Sequence, residues 1–260
     1  MQKNQNDKSY KRAQPSEKQE SRIPAEGVRL NRFLSEAGIC SRREADRRIA
    51  DGRVTIDGRV AEVGQKLMPG QRVACDGVAV SGKDAPVLLA VNKPRGIVCT
   101  TSDKAENIVE FLDYPVRIYP IGRLDKDSEG LLLMTNEGEL VNRILRARYG
   151  HEKEYLVTVD KPIDSEFVRK MSAGVKILDT VTRPCEVEKT GKTSFRIILT
   201  QGLNRQIRRM CEALGYQVQT LKRVRMLNIM LDGLKTGEYR EVTAAERQKL
   251  EDILNGKKNG

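Results

Sequence analysis

The segment Gly122-Arg-Leu-Asp-Lys-Asp-Ser-Glu-Gly130 sets five charged side chains, Arg123, Asp125, Lys126, Asp127 and Glu129, between two apolar runs. Glycines at its ends permit tight backbone geometry. A carboxylate held on such a loop beside an arginine is biased toward its ionised form. A carboxylate of that kind can serve as a nucleophile. Taken alone, the segment is read sooner as a surface turn laced with ion pairs.

The chemistry open to the chain is narrow. His151 is the single histidine of the 260 residues, so a multi-histidine metal site is excluded and a Ser-His-Asp triad has one candidate. It is expected on an exposed loop. Cys40, Cys75, Cys99, Cys185 and Cys211 are scattered without CxxC spacing, and are expected to be small buried hydrophobes in a reducing cytosol. Neither a GxxxxGK[ST] loop nor a GxGxxG turn occurs. Catalysis is therefore expected to rest on Asp, Glu, Tyr, Lys or Arg, with no cofactor and no metal.

Elements positioning these groups can be read from periodicity. Strands are expected at Val87–Asn92, Arg117–Tyr119, Leu131–Thr135, Glu154–Val159, Ser194–Thr200, Val218–Val224 and Met226–Leu231. Helices are expected at Asn107–Leu112, Gly138–Arg146, Ser165–Ala173, Arg205–Leu214 and Ala244–Asn255. The charged loop thus precedes a buried strand. Period 2 puts Tyr155, Val157 and Val159 on one strand face. On the helix from Arg205, Ile207, Met210, Cys211 and Leu214 form the buried side, so Arg208 leaves it. Strands mixed with helices favour an α+β domain around a mixed, mostly antiparallel sheet.

Upstream lies a smaller unit. Leu30, Phe33, Leu34 and Ala37 recur at helical spacing and Gly38 ends that helix. Ser41-x-x-Glu44 reads as a capping box opening a second helix, which Gly52 closes. Val54–Ile56 and Val60–Val63 flank Asp57-Gly58, a hairpin turn signal. Residues 1–27 are expected to be a disordered polar tail, 28–86 a small domain with its linker (76–86), and 87–256 the larger domain.

Charge points to the partner. The net charge is +11, which favours polyanions. Arg29, Arg32, Arg42, Arg43, Arg47 and Arg48 fall within two short helices, where guanidinium forks can grip phosphates. From Lys192 to Arg225 there are eight Lys or Arg against one acidic residue, Glu212. Arg205 and Arg209, four apart, suit RNA phosphates. A solvated basic face remains an alternative at both places. No apolar run approaches the roughly 20 residues of a membrane span.

The run from Val28 to Asp46, followed by Gly52–Gly58, resembles the S4 RNA-binding domain. Gly122-Arg-Leu-Asp125 followed by Ser128-x-Gly-Leu-Leu resembles the signature of the pseudouridine synthases related to the ribosomal small-subunit enzyme. Asn92-Lys-Pro-Arg-Gly96, Lys153-Glu-Tyr-Leu-Val157 and Gly202-Leu-Asn-Arg-Gln-Ile-Arg-Arg-Met210 match that family's other blocks, in order. The runs His151–Ile163 and Met171–Gly174 are most similar to its large-subunit branch. The resemblance implies an S4-like domain followed by an α+β synthase domain. It implies isomerisation of one uridine in 23S ribosomal RNA, with another ribosomal uridine (16S or a neighbouring 23S site) or a non-catalytic assembly factor as alternatives. Asp125 would start glycosidic cleavage, Tyr155 would stack on the base and help remove a proton, and Arg208 would pair with Asp125. Arg123 would fill the gap left by a flipped uridine, and Lys93 would contact RNA or brace the site. The implied partner is ribosomal RNA or a ribosome-assembly intermediate, met in the cytoplasm by a monomer.

Overall fold

The protein is described by a computed structural model covering residues 23–100, 106–146 and 150–256. Most of the expected tail (1–22) and the last four residues lie outside the described residues. The chain divides into two compact units, one ending at Ala85 but taking in Tyr114–Arg117, the other built from Pro86–Asp113 and Ile118 onward.

The first unit runs β1 (Val28–Arg29), α1 (Leu30–Glu36), α2 (Arg42–Ala50), β2 (Val54–Ile56), β3 (Arg59–Val60), β4 (Lys66–Leu67), β5 (Val73–Cys75) and β6 (Val78–Ala79). Leu30, Phe33, Leu34, Ala45, Ile49, Val54 and Leu67 form its core. Asp57 and Gly58, both at positive φ, turn the hairpin between β2 and β3. The Ser41 hydroxyl accepts from the Glu44 amide. The reciprocal half of the expected capping box gives way to ion pairs of Glu44 with Arg47 and Arg48. Nor is 76–86 only a linker, because β6 pairs with β5.

The second unit contains β7 (Leu88–Lys93), α3 (Ile108–Leu112), β8 (Tyr119–Pro120), β9 (Glu129–Thr135), α4 (Gly138–Leu145), β10 (Lys153–Val159), α5 (Ser165–Ala173), β11 (Lys176–Ile177), β12 (Thr180–Val181), β13 (Glu186–Lys189), β14 (Ser194–Leu199), α6 (Gln206–Ala213), β15 (Val218–Met226), β16 (Ile229–Met230), β17 (Tyr239–Glu241) and α7 (Ala244–Leu254). Its sheet has the order β13-β14-β10-β15-β9-β7-β17. Only the β15–β9 pairing along that order is parallel, so the sheet is mixed and mostly antiparallel, as expected. Both faces of β7 are buried, as is β9 from Gly130 onward. Leu88, Ala90, Leu131 and Leu133 pack with Leu140 and Ile144 of α4 and Leu250 of α7. The rigid centre of the sheet thereby carries the charged loop at the entry to β9.

Candidate active site

Asp125 opens a tight turn in that loop, its carbonyl accepting from the Ser128 amide at 3.0 Å. Lys93 braces the turn from beneath. Its Nζ donates to the carbonyls of Pro94 (2.8 Å), Ser128 (2.9 Å) and Lys126 (3.4 Å). The side chain is wholly buried, so it cannot reach an RNA phosphate: of the two expected roles, RNA contact is corrected and bracing stands. Burial pulls its ammonium below the ordinary lysine value, against the opposing pull of Cys99, Asp127 and Asp125. An unpaired buried charge would cost several kcal/mol, and three carbonyl acceptors offset that cost here.

Arg208 braces the turn from α6. Its Nη2 donates to the Asp127 carbonyl at 3.1 Å and the Ser128 hydroxyl at 3.4 Å. Its Nε stands 3.9 Å from Asp125 Oδ2, and Arg205 Nη1 stands 3.7 Å from the same oxygen. These distances exceed the roughly 2.7–2.9 Å of a charge-assisted hydrogen bond. Two cations therefore hold the charge of Asp125 while leaving its lone pairs free to meet a substrate. The expected Arg208 pair is present, and Arg205, expected on phosphate, joins it. Burial and then Arg205 pull the Arg208 guanidinium below its ordinary value, with Asp125 pulling the other way. Arg205 adopts a left-handed backbone, φ 50°. Such strain in a residue with a side chain costs of order 1–3 kcal/mol and clusters at functional sites.

Asp125, Ser128 and Arg205 line one cavity of about 260 Å³ together with Arg123, Tyr155, Lys153, His151 and Arg223, while Arg208 and Lys93 support the Asp125 turn from outside that lining. That volume is just below the roughly 300–1,000 Å³ of pockets for drug-sized ligands. Tyr155 is buried at its wall, on the strand face shared with Val157 and Val159. Arg123 is exposed at the rim. His151 is buried rather than exposed, its Nδ1 2.7 Å from the Ile144 carbonyl. A carbonyl only accepts, so the proton sits on that nitrogen. Arg209 turns back on its own helix start, Nε donating to the Asn204 carbonyl at 3.1 Å. Lys153 and Arg223 are cavity residues that periodicity did not single out.

In the first unit Arg29, Arg42, Arg43 and Arg47 are exposed. Arg32 is not one of this set: it is half-buried and pairs with Glu36 at 2.6 Å. Burial alone would push the Glu36 carboxyl up, but Lys83 and Arg32 together hold it down.

Comparison with known proteins matches residues 87–213 to the RNA pseudouridylate synthase family and 28–73 to the S4 domain. The dual-specificity RNA pseudouridine synthase RluF of Escherichia coli (strain K12) is 55% identical over 227 residues, 86% of this chain and 78% of that protein. Ribosomal large subunit pseudouridine synthase B of Bacillus subtilis (strain 168) is 36% identical over 241 residues, 89% of this chain and 98% of that protein. A solved structure described as a pseudouridylate synthase superposes with a TM-score of 0.64 at 29% identity, covering 86% of this chain and 99% of that one.

Proposed function

The chain belongs to the RNA pseudouridylate synthase family, and from that premise we propose that it isomerises a uridine of large-subunit (23S) ribosomal RNA, with Asp125 starting the reaction. The observation that supports this most is a carboxylate with open lone pairs that shares one cavity with Arg205 and a tyrosine and has the Arg208 guanidinium beside it.

The reaction breaks the bond from uracil N1 to ribose C1′ and makes one from C5 to C1′. C5 gives up a proton and N1 gains one, so no oxidant or nucleotide is consumed. Asp125 either attacks C1′ or removes a ribose proton. Arg208 and Arg205 flank it and fix its place. The ring of Tyr155 stacks on the extruded base and its phenol helps take the C5 proton. Arg123, at the rim, fills the stack that the base has left. Arg209 and the exposed Arg29, Arg42, Arg43 and Arg47 meet phosphates. Residues 28–86 serve as the RNA grip and 87–256 as the catalytic part, in a monomer working in the cytoplasm on ribosomal RNA or an assembly intermediate. Among the described residues no helix is long and apolar enough to cross a membrane.

The test is a transcript-wide pseudouridine map of cells with and without the protein. It covers all cellular RNA, because RluF is named for dual specificity. Loss of a large-subunit site supports the proposal. Loss confined to small-subunit RNA, or no loss, overturns it.

A further inference from the structure

Arg223 lies on β15 opposite Tyr155 of β10. Its side chain is 2% exposed and lines the cavity. Nε donates to the Leu131 carbonyl at 2.7 Å, which fixes the guanidinium, while Nη2 is buried without a hydrogen-bond partner. A buried, unpaired donor on a charged group is costly to leave unsatisfied, and calls for a ligand. Beside it stands Lys153, also in the cavity wall, whose ammonium is pulled down by burial and then by Arg223. Among the described residues no carboxylate forms an ion pair with either. The wall next to Tyr155 therefore carries two positive charges that the protein itself does not neutralise.

The register explains how Arg223 comes to point inward. Two residues apart, Arg223 and Arg225 would share a face of a regular strand. The pairing instead runs Glu154↔Arg225 and then Tyr155↔Arg223, leaving Val224 as an extra residue. This bulge turns the two arginines to opposite faces. Arg225 pairs outside with Glu152 and Glu154, and Arg223 is delivered to the cavity.

We propose that Arg223, assisted by Lys153, is a catalytic residue that holds the detached uracil as an anion. This rests on the reading of Asp125 given above. When the C1′–N1 bond breaks, its electron pair stays on the base, which becomes a uracil anion with charge shared over N1, O2 and O4. This holds whether Asp125 attacks C1′ or removes a ribose proton. Two fixed cations stabilise the charge where it develops, without reorganising at the moment of reaction. They keep the base in the cavity while it turns to present C5. C5 then bonds to C1′, which displaces the Asp125 carboxylate if it had attacked there, or takes back the ribose proton from Asp125 if that had been removed; transfer of the C5 proton away and protonation of N1 complete the neutral product.

The experiment uses the full chain and a ribosomal RNA fragment carrying the mapped uridine, under single-turnover conditions. Removing one preorganised donor at developing charge lowers rates by about 10²–10³. Arg223→Gln is expected to show a loss of that size at saturating RNA, with RNA affinity unchanged. Arg223→Lys should recover part of it. A second substrate carries 5-fluorouridine, whose more acidic base leaves with less help. The deficit of Arg223→Gln, read as consumption of the target nucleoside, should shrink there, which a merely structural role does not predict. Lys153→Gln carries the same expectation at a half-buried position, should Arg223→Gln fail to fold. A folded variant that keeps the parent rate, or loses it equally with both bases, overturns the inference. Failure of the parent chain to convert uridine, or full conversion by Asp125→Asn, overturns the reading of Asp125 and this inference with it.

Discussion

Lys93 shows how burial decides between two roles open to one residue type, contact with RNA and bracing of the site. It ends a strand in which every residue from Leu88 is buried, and such unbroken burial means cover on both faces. A lysine at the end of that run is thus a structural cation, and its three carbonyl acceptors make it one. Replacing it by Met leaves those carbonyls short of donors, at about 1–3 kcal/mol in all. Urea unfolding is expected to show that loss, and activity should fall further because the Asp125 turn loosens. Since burial lowers the Lys93 value from 10.5 in the folded state, the unfolded chain binds more protons between the two values. Stability from this group therefore rises with pH across that window, and Lys93→Met should flatten the rise. That Asp125 and Tyr155 would share one cavity, with Arg208 beside Asp125, was legible because their spacing is tied to a motif. His151 and Arg223 were not, because nothing in their neighbours distinguishes a residue facing a cavity from one facing water.

Legibility at the element scale followed how much apolar surface each segment buries. The strands Leu88–Lys93, Lys153–Val159 and Ser194–Leu199 and the helix Ser165–Ala173 stand within a residue of where periodicity puts them. Glu186–Lys189 and Tyr239–Glu241 pass for loops in sequence, since edge strands carry charge on their open sides. The bulge at Val224 is invisible for another reason: it is a property of pairing, not of one strand. Gly130 marks the parallel junction of β9 with β15. A Cβ there would run into the Arg223 carbonyl, and φ is +98°. Gly130→Ala must therefore push apart the two strands that hold Asp125 and Arg223. It is expected to lower stability by several kcal/mol, read as a fall in Tm, and to abolish conversion even in the folded fraction. A fully active, equally stable variant would refute this account of the junction.

At the scale of the molecule, a net charge of +11 predicts RNA binding dominated by counterion release. Neutralising Arg42, Arg43 and Arg47 together should weaken binding across sequences. It should also reduce the slope of log K against log salt by up to about 0.7–0.9 for each phosphate that these side chains neutralise. The rate at saturating RNA should stay unchanged, because these side chains lie in the first unit and the cavity in the second. An unchanged salt slope would remove them from the interface. The two-part organisation was legible because the compositional break near Pro86 coincides with the change from small hairpins to long buried strands. The grouping of Tyr114–Arg117 with the first unit was not, since no local pattern announces an association so distant in sequence.

The measurement that bears most directly on the account is single-turnover conversion by Asp125→Asn beside its RNA affinity. The substitution keeps shape and volume but removes the charge that Arg205 and Arg208 surround. No pseudouridine with RNA affinity intact is the expected result. Conversion at the parent rate would show that another group breaks the glycosidic bond.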